Sequence, residues 1–341
     1  MEDLNYIELK NFTTNSGFEM NIHLSYHSFG KALHSAPIIL VNHALTGNST
    51  VCGDEGWWND LIGKDKCIDT QDYTILAFNI PGNGYEGNPA HLIENYKAFT
   101  AADIARIFSE ALNQLHIRKL FAVIGGSVGG GIAWELAALR PSLIENLIPI
   151  ATDWKSTDWV IANCHIQDSI LNNSNNPLFD ARLHAMTLYR TPESFTQKFK
   201  RTEREKGFFN VESWLSHHGS VLNKRFQVSA YKLMNQILRT IDITKGDNDR
   251  FLEIASKIES NIHLVTINSD LFFKSEENWN TYVELKSVKD NVSISEIKSL
   301  HGHDAFLIEF QQLAKFLAPI FKKKEQAKPL EIRLCQNLKT A

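Results

Sequence analysis

A serine lies in the middle of a glycine-rich segment, 125–129, which reads GGSVG. A short apolar run at 120–124 precedes this segment, and apolar residues at helical spacing follow it as far as Pro141. This order of strand, tight turn and helix is required for a nucleophile elbow, in which the turn exposes a serine hydroxyl above a sheet. The amide of Val128, the first of the helix, can stabilise a developing oxyanion. We predict that Ser127 is a nucleophile; the alternative is a turn whose serine only caps the helix.

A serine nucleophile needs a base and an acid, and in one common topology both follow the serine in the order acid, then histidine. Asp270 lies just after a predicted strand at 262–267, and His303 lies after a second predicted strand at 292–297. The carboxyl ends of parallel strands are where α/β sheets place their sites. We predict that Asp270 orients His303 as the base. A turn residue and a helix cap are the alternative interpretations, and spacing alone does not exclude His301.

An oxyanion hole needs a second amide, from the loop after an early strand. The apolar run 38–41 is followed by the residues NHALTG at 42–47. We predict that the backbone N–H groups of Leu45 and Thr46 supply this amide, with Gly47 allowing close approach. An ordinary turn would look similar, so this prediction depends on the triad.

The elements around these residues alternate between strands and helices. A half-buried strand is predicted at 20–26, and a helix at 98–115 with Thr100 as its N-cap and Asp103 three residues later. Short runs of mainly apolar residues are typical of parallel strands covered on both faces, and they occur at 38–41, 74–78, 120–124 and 147–150. The sequence therefore predicts an α/β fold with a mostly parallel central sheet and helices on both faces.

The alternation of strands and helices stops after about residue 153 and resumes with the strand predicted at 262–267. Residues 154–250 contain no clear buried strand, and much of their apolar spacing is helical. After them come the strand runs 262–267 and 292–297, a helix near 276–288 and a last helix around 305–321. We predict a core formed by 1–153 and 251–321, a helical lid at 154–250, and a basic, flexible tail at 322–341.

Composition excludes several classes of protein. The 341 residues include 35 Lys+Arg and 39 Asp+Glu, a formal charge of −4, which argues against a nucleic-acid partner. Mean hydropathy is −0.23, and no apolar run approaches the roughly 20 residues that a bilayer requires, so we expect no membrane partner. The first residues do not form a secretory signal, and the four cysteines form no metal-binding pattern. We expect a cytoplasmic protein with reduced thiols and no bound metal.

Around the candidate residues Ser127, Asp270 and His303, the sequence resembles the homoserine O-acetyltransferase family of the α/β-hydrolase superfamily. The similar segments occur in the same order as in the family over roughly residues 5–320. The segments that carry the resemblance in the core are VNHALTG, GWWNDLIGKDKCIDTQDY, GGSVGGGIAWELAALRP, INSDLFF and HGHDAF. Those in the lid are YRTPESFTQKFKR, VESWLSHHG and KRFQVSAY. The resemblance implies the α/β-hydrolase fold with an inserted helical lid.

The resemblance also implies an activity and its residues. Ser127, Asp270 and His303 match the family's triad, which favours His303 over His301. Arg225, Tyr231 and Asp304 match positions that hold the amino-acid acceptor. The implied reaction transfers acetyl from acetyl-CoA, a co-substrate and not a tightly bound cofactor, to homoserine in methionine biosynthesis. It is a ping-pong reaction through an acyl-serine. The family also implies a homodimer formed through the lid.

Two segments depart from the family pattern. Residues 79–89 read NIPGNGYEGNP where the family has a longer glycine-rich segment, which leaves succinyl-CoA open as the donor. Gln227 and Val228 replace an aspartate and an alanine, which leaves serine open as the acceptor. An esterase or thioesterase of the same fold is the main alternative, because fold alone does not separate transfer from hydrolysis. A non-catalytic binding protein with this fold is the third hypothesis.

Overall fold

Eight strands form one sheet at the centre of the protein, whose computed structural model describes residues 3–321. In chain order the strands are β1 (Asn5–Thr13), β2 (Glu19–Gly30), β3 (Ile38–Asn42), β4 (Thr74–Phe78), β5 (Leu120–Gly126), β6 (Ile144–Ile150), β7 (Asn261–Ile267) and β8 (Val292–Ile297). Their order across the sheet is β1-β2-β4-β3-β5-β6-β7-β8. β1 and β2 pair antiparallel, as do β2 and β4, and every other neighbouring pair is parallel. The predicted α/β sheet is confirmed.

The helices are α1 (Ala101–Gln114), α2 (Val128–Leu139), α3 (Asp158–Asn173), α4 (Pro177–Tyr189), α5 (Pro192–Phe199), α6 (Asn210–Arg225), α7 (Val228–Arg239), α8 (Phe251–Lys257), α9 (Ser275–Lys286) and α10 (Phe310–Phe321). The predicted capping box at the start of α1 is present: the Thr100 hydroxyl accepts from the Asp103 amide, and the Asp103 carboxylate accepts from the Thr100 amide. The last helix differs from its prediction. A 3₁₀ helix spans Gly302–Leu307, and α10 begins only at Phe310.

Each central strand is buried on both faces, because its side chains alternate between two apolar layers. In β3, Leu40 packs into the layer that contains α1, α2 and α7, whereas Ile39 and Val41 pack into the layer that contains α10. In β5, Val123 and Ile124 divide in the same way. Helices on both faces leave the carboxyl ends of the strands as the open edge for a site.

Strand β1 was not predicted. Its inward residues are Ile7, Leu9 and Phe12, and the pairing with β2 shifts between Leu9 and Phe12. The irregularity places Phe12 three positions after Leu9, which breaks the period of two by which a half-buried strand is recognised.

Six helices, α3 to α8, and a short hairpin of Glu203–Glu205 with Phe208–Phe209 lie between β6 and β7 in the chain, and α3 to α7 with the hairpin form a helical block. Within this block α4 packs on α6, and α3 packs on α7. The division of the chain into a core and a lid stays a prediction, and the predicted tail at 322–341 lies outside the described residues. Across residues 3–321, no helix is both long and apolar enough to cross a membrane.

Candidate active site

Ser127 occupies the sharp turn between β5 and α2. Its backbone has φ 56° and ψ −128°, a strained conformation for a residue with a side chain. The backbone packs so closely around this turn that two of its glycines have no room for a Cβ. A Cβ added at Gly125 would lie 2.5 Å from the Gly129 carbonyl carbon, and one added at Gly129 would lie 2.5 Å from the Asn42 carbonyl oxygen. The Ser127 amide donates 2.9 Å to the Ile150 carbonyl and holds the turn in place. This is the geometry that the nucleophile elbow requires.

The structure brings Asp270 and His303 together. His303 Nδ1 lies 2.7 Å from Asp270 Oδ2, and both side chains are buried. The other carboxylate oxygen, Oδ1, accepts from the amides of Phe272 and Phe273 at 2.7 and 3.0 Å. Because the carboxylate is held from one side by these amides, it fixes the proton on Nδ1 and leaves Nε2 as the basic nitrogen.

Two opposing effects set the pKa of His303. Burial lowers the pKa, whereas the negative charge of Asp270 and the hydrogen bond to it raise it, and the net direction is above the ordinary value of 6.5. Asp270 therefore stabilises the imidazolium that forms when the His303 ring takes a proton.

Phe306 holds the histidine segment against the elbow. A Cβ added at Gly126 would lie 2.5 Å from Phe306 Cε2, so only glycine permits this approach. The Phe306 ring centroid is 5.7 Å from that of His303. Phe272 and Tyr189 lie on other sides of the imidazole at 5.4 and 5.5 Å between centroids. The base is enclosed by aromatic rings and held beside the strand that carries Ser127.

His301, the alternative base, has other partners. Its Nδ1 lies 3.2 Å from Arg190 Nη1 and 3.3 Å from Ser194 Oγ, both from the helical block. Gly302, between the two histidines, has φ +66°, and this left-handed residue turns the chain between them. His303 is the histidine that contacts the acid.

The loop after β3 forms a tight turn over residues 44–47. The Gly47 amide donates 2.8 Å to the Ala44 carbonyl, which leaves Leu45 and Thr46 at the two central positions. Within residues 3–321 neither central amide donates to a protein acceptor. The Val128 amide, the first of α2, is likewise available at the helix N-terminus. Asn42 joins the two segments, because its Nδ2 donates 3.1 Å to the Gly129 carbonyl.

Within residues 3–321, no hydrogen bond or ion pair joins the three predicted acceptor-binding residues to one another. Arg225, the last residue of α6, donates from Nη1 to the Thr46 carbonyl at 2.9 Å. Asp304 instead forms an ion pair with Arg190, with 2.9 Å between Oδ2 and Nε. Tyr231 is buried in α7, and burial raises the pKa of its hydroxyl to about 12. Burial also raises the pKa of Asp304, against the effect of Arg190.

Sequence reasoning missed Arg190. It lies in the segment YRTPESFTQKFKR, which was recognised as lid-like, but nothing local marks it as the partner of Asp304. The signal that could have found it is the half-buried carboxylate of Asp304 beside His303, because a carboxylate that loses much of its water is stabilised by a nearby cation. As for metals, residues 3–321 contain no group of three or more His, Cys, Asp or Glu side chains arranged to hold an ion.

Comparison with known proteins identifies the family of this chain. The family of the α/β hydrolase fold matches residues 37–205. The homoserine O-acetyltransferase of Chloroherpeton thalassium is 33% identical over 324 residues, covering 88% of this chain and 84% of that protein. The chain belongs to the homoserine O-acetyltransferase family. A second member, from Methanococcus vannielii, is 32% identical and covers 89% of this chain and 69% of its own length.

Solved structures show the same fold. A homoserine O-acetyltransferase from Bacillus anthracis superposes with a TM-score of 0.85 at 20% identity, covering 94% of this chain and 98% of that one. An acetylester hydrolase from Corynebacterium glutamicum superposes with a TM-score of 0.80 at 18% identity, covering 94% and 96%. At these identities the superpositions establish the fold that this homoserine O-acetyltransferase family shares with esterases, and no more.

Proposed function

We propose that this protein transfers an acetyl group from acetyl-CoA to the hydroxyl of L-homoserine, a reaction of methionine biosynthesis, through an acetyl-Ser127 intermediate. The observation that carries the proposal is the pair His303–Asp270, joined at 2.7 Å and packed through Phe306 against the strained elbow of Ser127. Family membership supports the choice of donor and acceptor.

In the first half-reaction His303 Nε2 takes the Ser127 hydroxyl proton while Oγ attacks the thioester carbonyl carbon. The tetrahedral alkoxide accepts hydrogen bonds from the Val128 amide and from Leu45 or Thr46. When the intermediate collapses, the carbon–sulfur bond breaks, the sulfur takes the proton from His303, and CoA leaves as a thiol. Asp270 stabilises the imidazolium between these two transfers.

The second half-reaction reverses these roles. His303 takes the proton of the homoserine hydroxyl, whose oxygen attacks the acetyl carbonyl carbon. The bond from that carbon to Ser127 Oγ breaks, and Oγ recovers the proton from His303. Asp304, next to His303 in the chain, would bind the homoserine ammonium, and Arg225 its carboxylate.

A small cavity beside the site supports acetyl over succinyl as the acyl group. The cavity has a volume of about 10 Å³ and lies between Leu45 of the 44–47 turn and the rings of Tyr189 and Phe272 that contact His303. Tyr231 is among its lining residues, and none of them is charged. Ser127 and His303 are not among its lining residues, but a succinyl carboxylate that entered this space would be desolvated without a cation.

The test is a steady-state assay of the full chain with acetyl-CoA or succinyl-CoA, each with homoserine, serine or no acceptor. We expect the highest kcat/KM for acetyl-CoA with homoserine. Rapid CoA release without an acceptor would identify a hydrolase, and higher activity with succinyl-CoA or with serine would overturn the choice of donor or of acceptor.

A further inference from the structure

His43 sits inside the protein next to the 44–47 turn and has no part in the reaction as derived above. Its side chain is 1% exposed. Ring Nδ1 lies 2.8 Å from the Ala44 carbonyl oxygen, and Nε2 lies 3.0 Å from the Ile80 amide nitrogen. A carbonyl only accepts and an amide N–H only donates, so Nδ1 carries the proton and Nε2 is bare.

This arrangement fixes the carbonyl on which the turn is built. The Ala44 oxygen also accepts from the Gly47 amide, and a Cβ at Gly47 would lie 3.0 Å from the His43 Cβ. Two donors therefore hold one oxygen, one from inside the turn and one from the imidazole. The orientation of the Ala44 carbonyl determines which way the peptide N–H of Leu45 points, because the two belong to one planar unit.

The other end of the imidazole is held by the segment that departs from the family pattern. Besides the Ile80 amide, Asn83 Nδ2 lies 3.4 Å from His43 Nε2 and donates to Asn79 Oδ1 at 3.2 Å. Asn79 in turn accepts from the Ser49 amide at 2.9 Å, just beyond the turn. The residues NIPGNG at 79–84 therefore hold the turn from the side of the imidazole through a network of hydrogen bonds.

We propose that His43 is a positioning residue, which aims the amides of the 44–47 turn at the oxyanion by clamping the Ala44 carbonyl between the turn and the 79–83 segment. The proposal rests on the proposed acetyl transfer through Ser127. Burial lowers the pKa of His43 to about 4, so the neutral ring that this hydrogen-bonding pattern requires is present at neutral pH. The imidazole transfers no proton; it acts only through the turn.

Three substitutions separate the two hydrogen bonds. In H43N, the amide nitrogen can stand where Nδ1 stands and keeps the donor to Ala44. In H43Q, the longer side chain can return an acceptor to the Ile80 amide but loses that donor. H43L keeps the approximate volume and removes both hydrogen bonds.

The readouts are the single-turnover rate of Ser127 acetylation and the affinities for two probes. One probe is the trifluoromethyl ketone analogue of acetyl-CoA, to which Ser127 adds to give an alkoxide in the oxyanion hole. The other is CoA itself, which places no oxyanion there. We expect H43L to lose roughly ten- to a hundredfold in acetylation rate and in analogue affinity, with CoA affinity within about twofold of the wild type. H43N should recover most of the loss, and H43Q much less.

The same measurements include results that would contradict the positioning role of His43. An H43L protein that matches the wild type, or that loses CoA and analogue affinity equally, would overturn the positioning role. If H43L does not fold, the comparison of H43N with H43Q decides it, and equal analogue affinities would refute the proposal. A wild-type protein that acetyl-CoA does not acetylate on Ser127 would instead refute the proposed function.

Discussion

Arg225 Nη1 donates a hydrogen bond of 2.9 Å to the carbonyl oxygen of Thr46, a residue 179 positions earlier in the chain. This contact joins the end of α6 to the turn that supplies the predicted oxyanion donors. A residue predicted only to bind the acceptor therefore also contacts the segment on which acylation depends. Burial and the charge of Arg182 lower the pKa of Arg225.

We expect Arg225→Ala to impair both half-reactions, but unequally. Loss of one charge-assisted hydrogen bond to Thr46 should slow acetylation by less than about tenfold. Loss of the guanidinium from the acceptor carboxylate should lower kcat/KM for homoserine by about a hundredfold. Rapid-quench measurement of acetyl-enzyme and steady-state kinetics with varied homoserine give the two numbers. Arg225→Lys is the matched control, and equal loss in both half-reactions would remove the acceptor-binding role.

Ser127→Ala should abolish formation of the acetyl-enzyme, because the nucleophilic hydroxyl is gone. It should leave the fold intact, because the change removes one oxygen atom at a position already fixed by backbone contacts. Mass spectrometry of the intact protein after incubation with acetyl-CoA detects the adduct. Ser260→Ala, a change at another buried serine whose hydroxyl donates to the Ile144 carbonyl, should still be acetylated on Ser127. An adduct that persists in Ser127→Ala would show that another residue is the nucleophile.

The bounds of two strands were predicted correctly, because the pattern that marks each strand lies within the strand and the residues beside it. The strands at 74–78 and 292–297 match the observed bounds, because continuous burial or turn residues at their ends mark them in the sequence. β1 was missed because its inward residues are irregularly spaced. A regular spacing of apolar residues marks a buried strand in the sequence. Where the pairing of two strands is irregular, as in β1, that spacing is lost.

The candidate site likewise contains residues that the sequence predicts and contacts that it does not. Chain order and position after strands predicted Asp270 and His303, which the structure joins at 2.7 Å. The pairing of Asp304 with Arg190 depends on how α4 and α5 pack on the 3₁₀ helix, a contact between distant segments that no local pattern encodes. Long-range docking of the helical block is therefore the part that sequence spacing does not determine.

The rate of Ser127 acetylation should rise with pH and then level off, because His303 acts as the base only when it is neutral. Asp270 raises the pKa of His303 against burial, so Asp270→Asn should move the midpoint to lower pH. The plateau rate should also fall by roughly a thousandfold or more, because the imidazolium loses its counter-charge. Single-turnover rates between pH 5 and 9 measure both effects. A midpoint that rises or stays unchanged in the variant would contradict this electrostatic assignment.

Gly126→Ala should separate the histidine segment from the elbow. The new Cβ would meet the Phe306 ring at 2.5 Å, so the ring and the 3₁₀ helix behind it must shift. We expect a loss of about 1–3 kcal/mol in the free energy of unfolding and a slower acetylation of Ser127. Phe306→Leu removes the clash, and the double variant should recover part of both losses. Strictly additive losses in the double variant would mean that the two residues act independently.

Glu135 makes the stability of the protein depend on pH. This carboxyl is buried in α2 and accepts from the Asp242 amide at 2.9 Å. Burial raises its pKa from 4.5 to about 7, although the bond to that amide lowers it. A carboxyl whose pKa is higher in the folded state favours folding while it is protonated, and this contribution is lost as pH rises from about 4.5 through about 7.

Glu135→Gln keeps an acceptor for the Asp242 amide and cannot ionise. We expect the variant to match the wild type in free energy of unfolding near pH 4.5 and to exceed it by up to about 3 kcal/mol at pH 8. Urea denaturation at pH values across this interval measures the difference. Glu110→Gln, at an exposed position of α1, is the control and should change little with pH. If the stability difference between Glu135→Gln and the wild type is the same at both ends of the interval, Glu135 does not titrate across it, and another buried group must account for any pH dependence.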